Sequence, residues 1–180
     1  MVYDFIEDKR IESVCFMKRI ATCCFTGHRS EKMNVSAEIV IERLQDAIDD
    51  AFSDGYTNYI TGMFRGLDIW AAEAVLELKK EVSHIKLICA VPYAGFENNW
   101  EKEWQERYCR ILMSADEVYY ISDRYTSRVY QKRNEWMIDH ASMVIAGYTG
   151  VAGGTRNTIE YAKKQKDYTV RFLNLKKYCL

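Results

Sequence analysis

Short apolar runs alternate along the chain with longer stretches in which apolar residues recur every three or four positions, and the two periods change places repeatedly after Arg19. Arg19–Phe25, Tyr56–Thr61, Ile85–Val91, Glu117–Ile121, Ser142–Ala146 and Thr169–Leu173 read as strands, the third stopped by Pro92. Between the first two, Val35–Phe52 sets Val40, Leu44, Ala47, Ile48 and Ala51 on one helical face, and Gly55 ends it. Leu67–Val82 repeats the pattern through Leu67, Trp70, Ala71, Ala74, Val75, Leu78 and Val82. Asn98 with Glu101 resembles a capping box for a helix through about Met113; Arg128–His140 reads as helical, and a last long helix opens after Gly153. Strands separated by helices imply right-handed crossovers and a sheet covered on both faces. The expected fold is α/β: a single doubly wound Rossmann-like domain over residues 17–180, with a mainly parallel sheet of about six strands. Residues 1–16 are charged and weakly patterned, and read as an N-terminal extension or a peripheral helix. Met17 is then a candidate natural start, which the intact mass of the native protein decides.

In such sheets ligands sit beyond the carboxyl ends of the strands, at the point where strand order reverses. Those ends carry Gly27-His28-Arg29, the turn from Gly62 through Arg65 and Gly66 to Asp68, Pro92-Tyr93, and Gly153–Thr158. Where the run ending at Ala146 gives way to a helix through Gly153 and Gly154, the helix's first N–H groups are left free and a ligand can approach the backbone, as an anion cradle requires. An ordinary turn with Thr155 or Thr158 as helix cap is the plainer reading of the same residues. The second glycine turn, Thr61–Asp68, favours the cradle. Thr26–Lys32 supplies no GxGxxG and no GxxxxGK[ST] occurs, so a standard dinucleotide site and a P-loop are both set aside. His28 and Arg29 suit phosphate, and Asp68 suits either a ribose or the helix's own N–H groups.

Composition narrows the partners. With 180 residues, 48% hydrophobic, and one proline, the chain can build one well-buried core and is short for two. The formal charge of -1, from 25 basic and 26 acidic residues, exerts no general pull on nucleic acid or an anionic membrane, so any anion site is local. Arg124, Arg128, Lys132 and Arg133 with Tyr125 and Tyr130 form a local basic, aromatic patch suited to one nucleotide or to a subunit contact. With no apolar run near the roughly 18–20 residues that span a bilayer, and no signal core at Met1–Asp8, a cytoplasmic location is expected. The six cysteines contain no CxxC pair and are expected as reduced, mostly buried thiols. His84 and His140 have no cysteine or carboxylate at ligand spacing, so no metal is expected.

Thr26-Gly27-His28-Arg29, Gly62–Glu73, Pro92-Tyr93 with Trp100, Asn134–Asp139 and Gly153-Gly154-Thr155 together resemble the YpsA-like branch of the SLOG superfamily, over about residues 18–175. The resemblance implies a Rossmann-like fold holding a nucleotide or ADP-ribose-like ligand, with no required cofactor. The superfamily includes the LONELY GUY phosphoribohydrolases, often filed as lysine decarboxylase-like, the DNA-processing protein DprA, and stand-alone nucleotide sensors. YpsA-like members are linked with bacterial cell division, so a division protein and a homodimer partner are both implied. By resemblance, Gly153, Gly154 and Thr155 take phosphate on a turn shared with Asn157 and Thr158, while Arg29 and Arg133 add charge. Asp68 or Glu160 addresses a ribose, Asn134 belongs to the matching helix, and Tyr93, Trp100 or Trp136 either stacks a base or lies in the core.

The hydrolase branch carries two motifs that this chain keeps only in part. Arg133 matches an arginine flanked there by histidine and lysine, which here are replaced. Gly153, Gly154 and Glu160 match the glycine turn, whereas Ala152, Arg156, Asn157 and Ile159 depart from it. Were the reaction retained, the chain would be an N-glycosidase on nucleoside monophosphates. Glu160 would then hold the ribose or assist the attacking water, and Arg133 would stabilise leaving-group charge. The alternative is a solvated helical glutamate and a surface arginine.

Overall fold

The computed structural model describes residues 19–28 and 35–175. The N-terminal extension and Arg29 therefore lie outside the described residues. The strands are β1 (Thr22–Gly27), β2 (Asn58–Thr61), β3 (Lys86–Val91), β4 (Glu117–Tyr120), β5 (Met143–Gly147) and β6 (Thr169–Phe172). The helices are α1 (Ala37–Ser53), α2 (Leu67–Glu81), α3 (Lys102–Ser114), α4 (Val129–Asp139) and α5 (Gly154–Ala162). The strands form one sheet in the order β4-β3-β2-β1-β5-β6. Every pairing is parallel, with Cys24 level with Ile60 and with Val144 across the centre.

Alternation along each strand sorts the core into two layers. Cys23, Phe25, Tyr59, Leu87, Cys89 and Ile145 face α1–α3, where Leu44, Ile48, Ile69, Val75 and Ile111 are buried. Their neighbours Cys24, Ile60, Ala90 and Val144 face the other way, onto Met137 and Ile138 of α4 and Ala162 of α5. The apolar stripe of α1 is buried at Val40, Leu44, Ala47, Ile48 and Ala51, the positions its periodicity selects. Cys23, Cys24 and Cys89 are buried free thiols and Cys109 is exposed.

The largest boundary differences from the sequence pattern are at the first strand and at the entry to α3. The first strand begins at Thr22 rather than Arg19 and continues through Gly27. The carbonyl of Ala21 already serves the N–H groups of Thr57 and Asn58, both at 3.0 Å, and that turn fixes where pairing starts for β1 and β2 alike. The capping box at Asn98 does not form: Glu101 is the N-cap of α3, with no side-chain cap bond. The connection is shaped instead by ring packing, with Phe96 against Trp100 at 4.9 Å and Tyr108 at 5.6 Å.

Candidate functional site

From β1 the chain winds outward through β2, β3 and β4, then returns to place β5 on the opposite side of β1. Strand order thus reverses between β1 and β5, and a cleft of about 330 Å³ opens beyond their carboxyl ends. Its floor is the end of β1, where Gly27 packs so closely on Leu67 that a Cβ would overlap the leucine side chain. His28 is buried at the rim, its N–H donating to the Gly147 carbonyl at 3.2 Å and its ring 5.5 Å from Tyr148.

The turn between β2 and α2 makes one wall. Gly66, the N-cap of α2, has φ 96°, a conformation that favours glycine. Thr61 braces the turn from below, its hydroxyl donating to the Asp68 carbonyl at 2.7 Å and accepting the Met63 N–H at 3.3 Å. The Asp68 carboxylate accepts the Phe64 N–H at 3.2 Å and Arg133 Nη1 at 3.3 Å. Arg133 reaches across from α4 and also donates to the Gly62 carbonyl. A Cβ at Gly62 would overlap this guanidinium and stand 2.7 Å from Asp68 Oδ2, so only glycine admits the pair.

Both partners of this ion pair are buried, Asp68 to 8% and Arg133 to 6% exposure. Burial pushes the Asp68 pKa above the usual carboxylate range, opposed by the guanidinium and the Phe64 N–H. Burial also pulls the Arg133 pKa down from its ordinary value, opposed by Asp68. Removal from water therefore outweighs mutual attraction, as is common for buried pairs. The guanidinium stays charged, because arginine does not deprotonate in proteins. Its buried Nε has no acceptor among the described residues, although the side chain lines the cleft.

The opposite wall is the start of α5. Gly153, its N-cap, has φ 154° and ψ -167°, and no side chain caps the helix. The first main-chain closure is Asn157 N–H to Gly153 C=O at 3.1 Å, which leaves the N–H groups of Gly154, Thr155 and Arg156 without an acceptor among the described residues. Gly153, Gly154 and Thr155 line the cleft. Thr158, buried behind them, accepts from the Asn134 amide at 2.9 Å and donates to the Gly154 carbonyl at 2.8 Å, tying α5 to α4. Thr155 and Thr158 are therefore not helix caps.

The remaining candidates separate. Arg65 lines the cleft and pairs with Glu101 at 2.8 Å. Asn134 lines it too. Asn157 is exposed and outside the lining. Glu160 pairs with Arg156 at 2.8 Å on the outer face of α5, so Arg133 and Glu160 are not brought together. Pro92 is buried, and Tyr93 and Trp100 stand behind the wall, Trp100 against Phe64 at 5.5 Å and Tyr93 against Tyr130 at 6.4 Å. Trp136 lies at the far end of α4, stacked on His140 at 4.1 Å. Of the basic patch, Arg124, Arg128 and Lys132 are exposed and Arg133 is buried.

Phe64 and Tyr130, 6.0 Å apart, line the cleft together with the buried Phe25 of β1. Tyr130 belongs to the basic, aromatic patch that the sequence suggests for one nucleotide, whereas Phe64 is not marked there as a ring contact. Phe64 sits within the glycine-flanked turn, and Tyr130 lies one helical turn before Arg133, so spacing alone would have placed both beside residues already marked. Among the described residues no group of three or more His, Cys, Asp or Glu can hold a metal ion. No described helix is long and apolar enough to cross a membrane.

The YpsA profile, described as the YspA SLOG family, matches residues 23–178. The chain belongs to this family. It is 36% identical over 118 residues to the SPbeta prophage-derived protein YoqJ of Bacillus subtilis (strain 168), covering 59% of this chain and 69% of YoqJ. A UPF0398 protein of Ligilactobacillus salivarius (strain UCC118) is 30% identical over 162 residues, covering 83% of this chain and 88% of the relative. Among solved structures, DNA processing protein A (DprA) of Streptococcus pneumoniae superposes with a TM-score of 0.55 at 16% identity, over 85% of this chain and 50% of that one. This last likeness is one of fold.

Proposed function

We propose that this member of the YpsA family is a cytoplasmic binding protein for a nucleotide or nucleotide derivative, acting as a sensor rather than through a fixed reaction. The observation that supports this reading most is the uncapped first turn of α5 opening into the cleft opposite a buried guanidinium that lines it. Free N–H groups, the positive end of the helix dipole, and glycines that admit close approach suit a phosphate. Phe64 and Tyr130 offer ring surface to a base. The Asp68 oxygen not engaged by Phe64 or Arg133 offers an acceptor to a ribose hydroxyl. No catalytic step is assigned, because Glu160 is committed to Arg156 outside the cleft.

Thermal unfolding with AMP, ADP, ADP-ribose and inorganic phosphate tests the reading. A ligand at 100 times its dissociation constant adds about 2.7 kcal/mol of stability. Gly154→Asp is the matched variant: its Cβ would meet nothing nearer than Asn134 Nδ2 at 3.9 Å, and its carboxylate would occupy the helix N-terminus itself. The variant is expected to keep its unfolding midpoint and lose the ligand shift. If no nucleotide raises the wild-type midpoint, or if Gly154→Asp responds as the wild type does, the assignment fails.

A further inference from the structure

The sheet ends on one side at β4, and no described strand lies beyond it. Its side chains are exposed: Val118 by 38%, Tyr119 by 43% and Tyr120 by 54%. A solvent-facing edge is normally blunted by shortness, lysine, proline or a bulge, and β4, four residues long, carries neither lysine nor proline. Here Glu117 is the one charged residue of the strand, and its carboxylate is held by the Tyr119 hydroxyl at 2.6 Å. Main-chain direction along β4 is fixed by Ile121, whose N–H donates to Val91 C=O at 2.9 Å in β3. Alternation turns the N–H and C=O groups of Val118 and Tyr120 away from β3, toward the open edge.

We propose that the occupant of this edge is a second copy of the chain, joined β4 to β4 in antiparallel pairing about a two-fold axis at Tyr119. An isologous contact requires each outward residue to face an outward residue of the second copy. Three registers are centred on an exposed residue of the strand. Centring on Tyr120 opposes Glu117 to Asp123, a like-charge pair. Centring on Val118 sets Tyr120 against Asp116, whose N–H is already committed to the Leu87 carbonyl of β3 at 2.9 Å and cannot pair outward. Centring on Tyr119 pairs Val118 with Tyr120 of the second copy twice over, each pair exchanging both main-chain bonds, and sets Glu117 against the uncharged Ile121. That register uses every outward group of the strand and opposes no like charges.

Side-chain chemistry fits the same arrangement. Val118 and Tyr120 form β-branched–aromatic pairs on the face of α1–α3. On the other face the two Tyr119 rings meet at the axis. There α4 and α5 leave a groove of about 340 Å³ along β3 and β4, lined by Ile88, Tyr119 and Trp136. Six strands at about 4.8 Å span roughly three helix widths of about 10 Å, so two helices leave one width uncovered. Tyr119 of the second copy closes the outer side of that groove. Taking about 200 Å² for a tyrosine side chain, the three exposed residues contribute roughly 250 Å² of largely apolar surface per copy. That is close to the lower bound of the largest patch on a typical monomer and below a standard interface of about 800 Å² per partner, so the dimer is a weak one, and we place its dissociation constant in the micromolar range.

Sedimentation velocity of the whole chain between about 1 and 100 µM tests this, because a micromolar dimer crosses from monomer to dimer in that range. Tyr120→Pro removes an outward N–H and leaves the ladder to β3 intact, so it should fold as the wild type does and raise the dissociation constant at least about tenfold. Val118→Lys places a charge on the edge without touching the backbone and should do the same, and it decides the matter if the proline variant unfolds. Protection of the Val118 and Tyr120 amides from hydrogen exchange should grow with protein concentration. A wild type that stays monomeric across the range, or a dimer that survives both substitutions, overturns the proposal.

Discussion

Removing either member of the Asp68–Arg133 pair should destabilise the protein, but only one of the two losses can be relieved by acid. Asp68→Ala leaves a guanidinium buried to 6% exposure with no carboxylate, and arginine cannot shed its proton. It also strips the acceptor from the Phe64 N–H. A broken buried pair costs about 3–5 kcal/mol, and this substitution belongs toward the top of that range at every pH from 5 to 7. Arg133→Met leaves a carboxyl that can become neutral by taking a proton. The cost of that escape is set by the distance between solution pH and an unfolded pKa of about 3.9, at about 1.36 kcal/mol per unit. The ceiling is therefore about 4 kcal/mol at pH 7 and about 1.5 kcal/mol at pH 5.

The direction follows from linkage. The Asp68 pKa is raised in the folded protein and rises further without Arg133. Its contribution accordingly favours folding below the unfolded value and is lost as pH climbs through the folded one. Urea unfolding at pH 5 and pH 7, with equal m-values as the condition for comparison, should show Arg133→Met regaining up to about 2.5 kcal/mol on acidification, relative to wild type. Asp68→Ala should regain almost none. Equal pH sensitivity in the two variants, or none in Arg133→Met, would refute the account of the pair.

Burial pushes the Cys24 and Cys89 thiols up to about 12, so neither carries appreciable thiolate at neutral pH. A thiol reagent followed by peptide mapping should label Cys109 in the native protein and reach Cys23, Cys24 and Cys89 only on unfolding; prompt labelling of those three contradicts the buried placement. Gly153→Ala should cost about 1–3 kcal/mol through backbone strain alone, since its φ of 154° is unfavourable for a side chain although a Cβ there meets nothing within 4 Å. Gly154→Ala, inside α5, should instead be neutral or stabilising in the same urea assay.

The two periods of the sequence were enough to read the strand and helix order, because each face of the sheet and one face of each long helix must be apolar. In β1, Cys23 and Cys24 go to opposite layers, and in α1 every residue of the apolar stripe is buried. Element ends were harder to read because partners distant in sequence set them. The start of β1 depends on what the Ala21 carbonyl does for Thr57 and Asn58, and the entry to α3 depends on rings at Phe96, Trp100 and Tyr108. Local capping chemistry at Asn98 and Glu101 is weak beside that packing.

The candidate site divides along the same line. Gly27, Gly62, Gly66 and Gly153 were legible because close approach or an unusual backbone angle leaves a residue-type mark at a single position. The Asp68–Arg133 pair joins residues 65 apart and leaves no such mark. Glu160 shows the opposite case, since helix geometry already holds the answer. At about 100° per residue, Thr158 lies within about 40° of Gly154, whereas Arg156 and Glu160 lie about 200° and 240° away. Gly154 lines the cleft, so those two must project outward together, where they pair at 2.8 Å. Position 158 is the one a full turn on from Gly154, and it holds a threonine whose hydroxyl is engaged by Asn134 and Gly154. The carboxylate that does line the cleft comes from α2 as Asp68, and an acid–base role at this site would have to be asked of that residue, whose proton affinity is raised by burial against the opposing pull of Arg133.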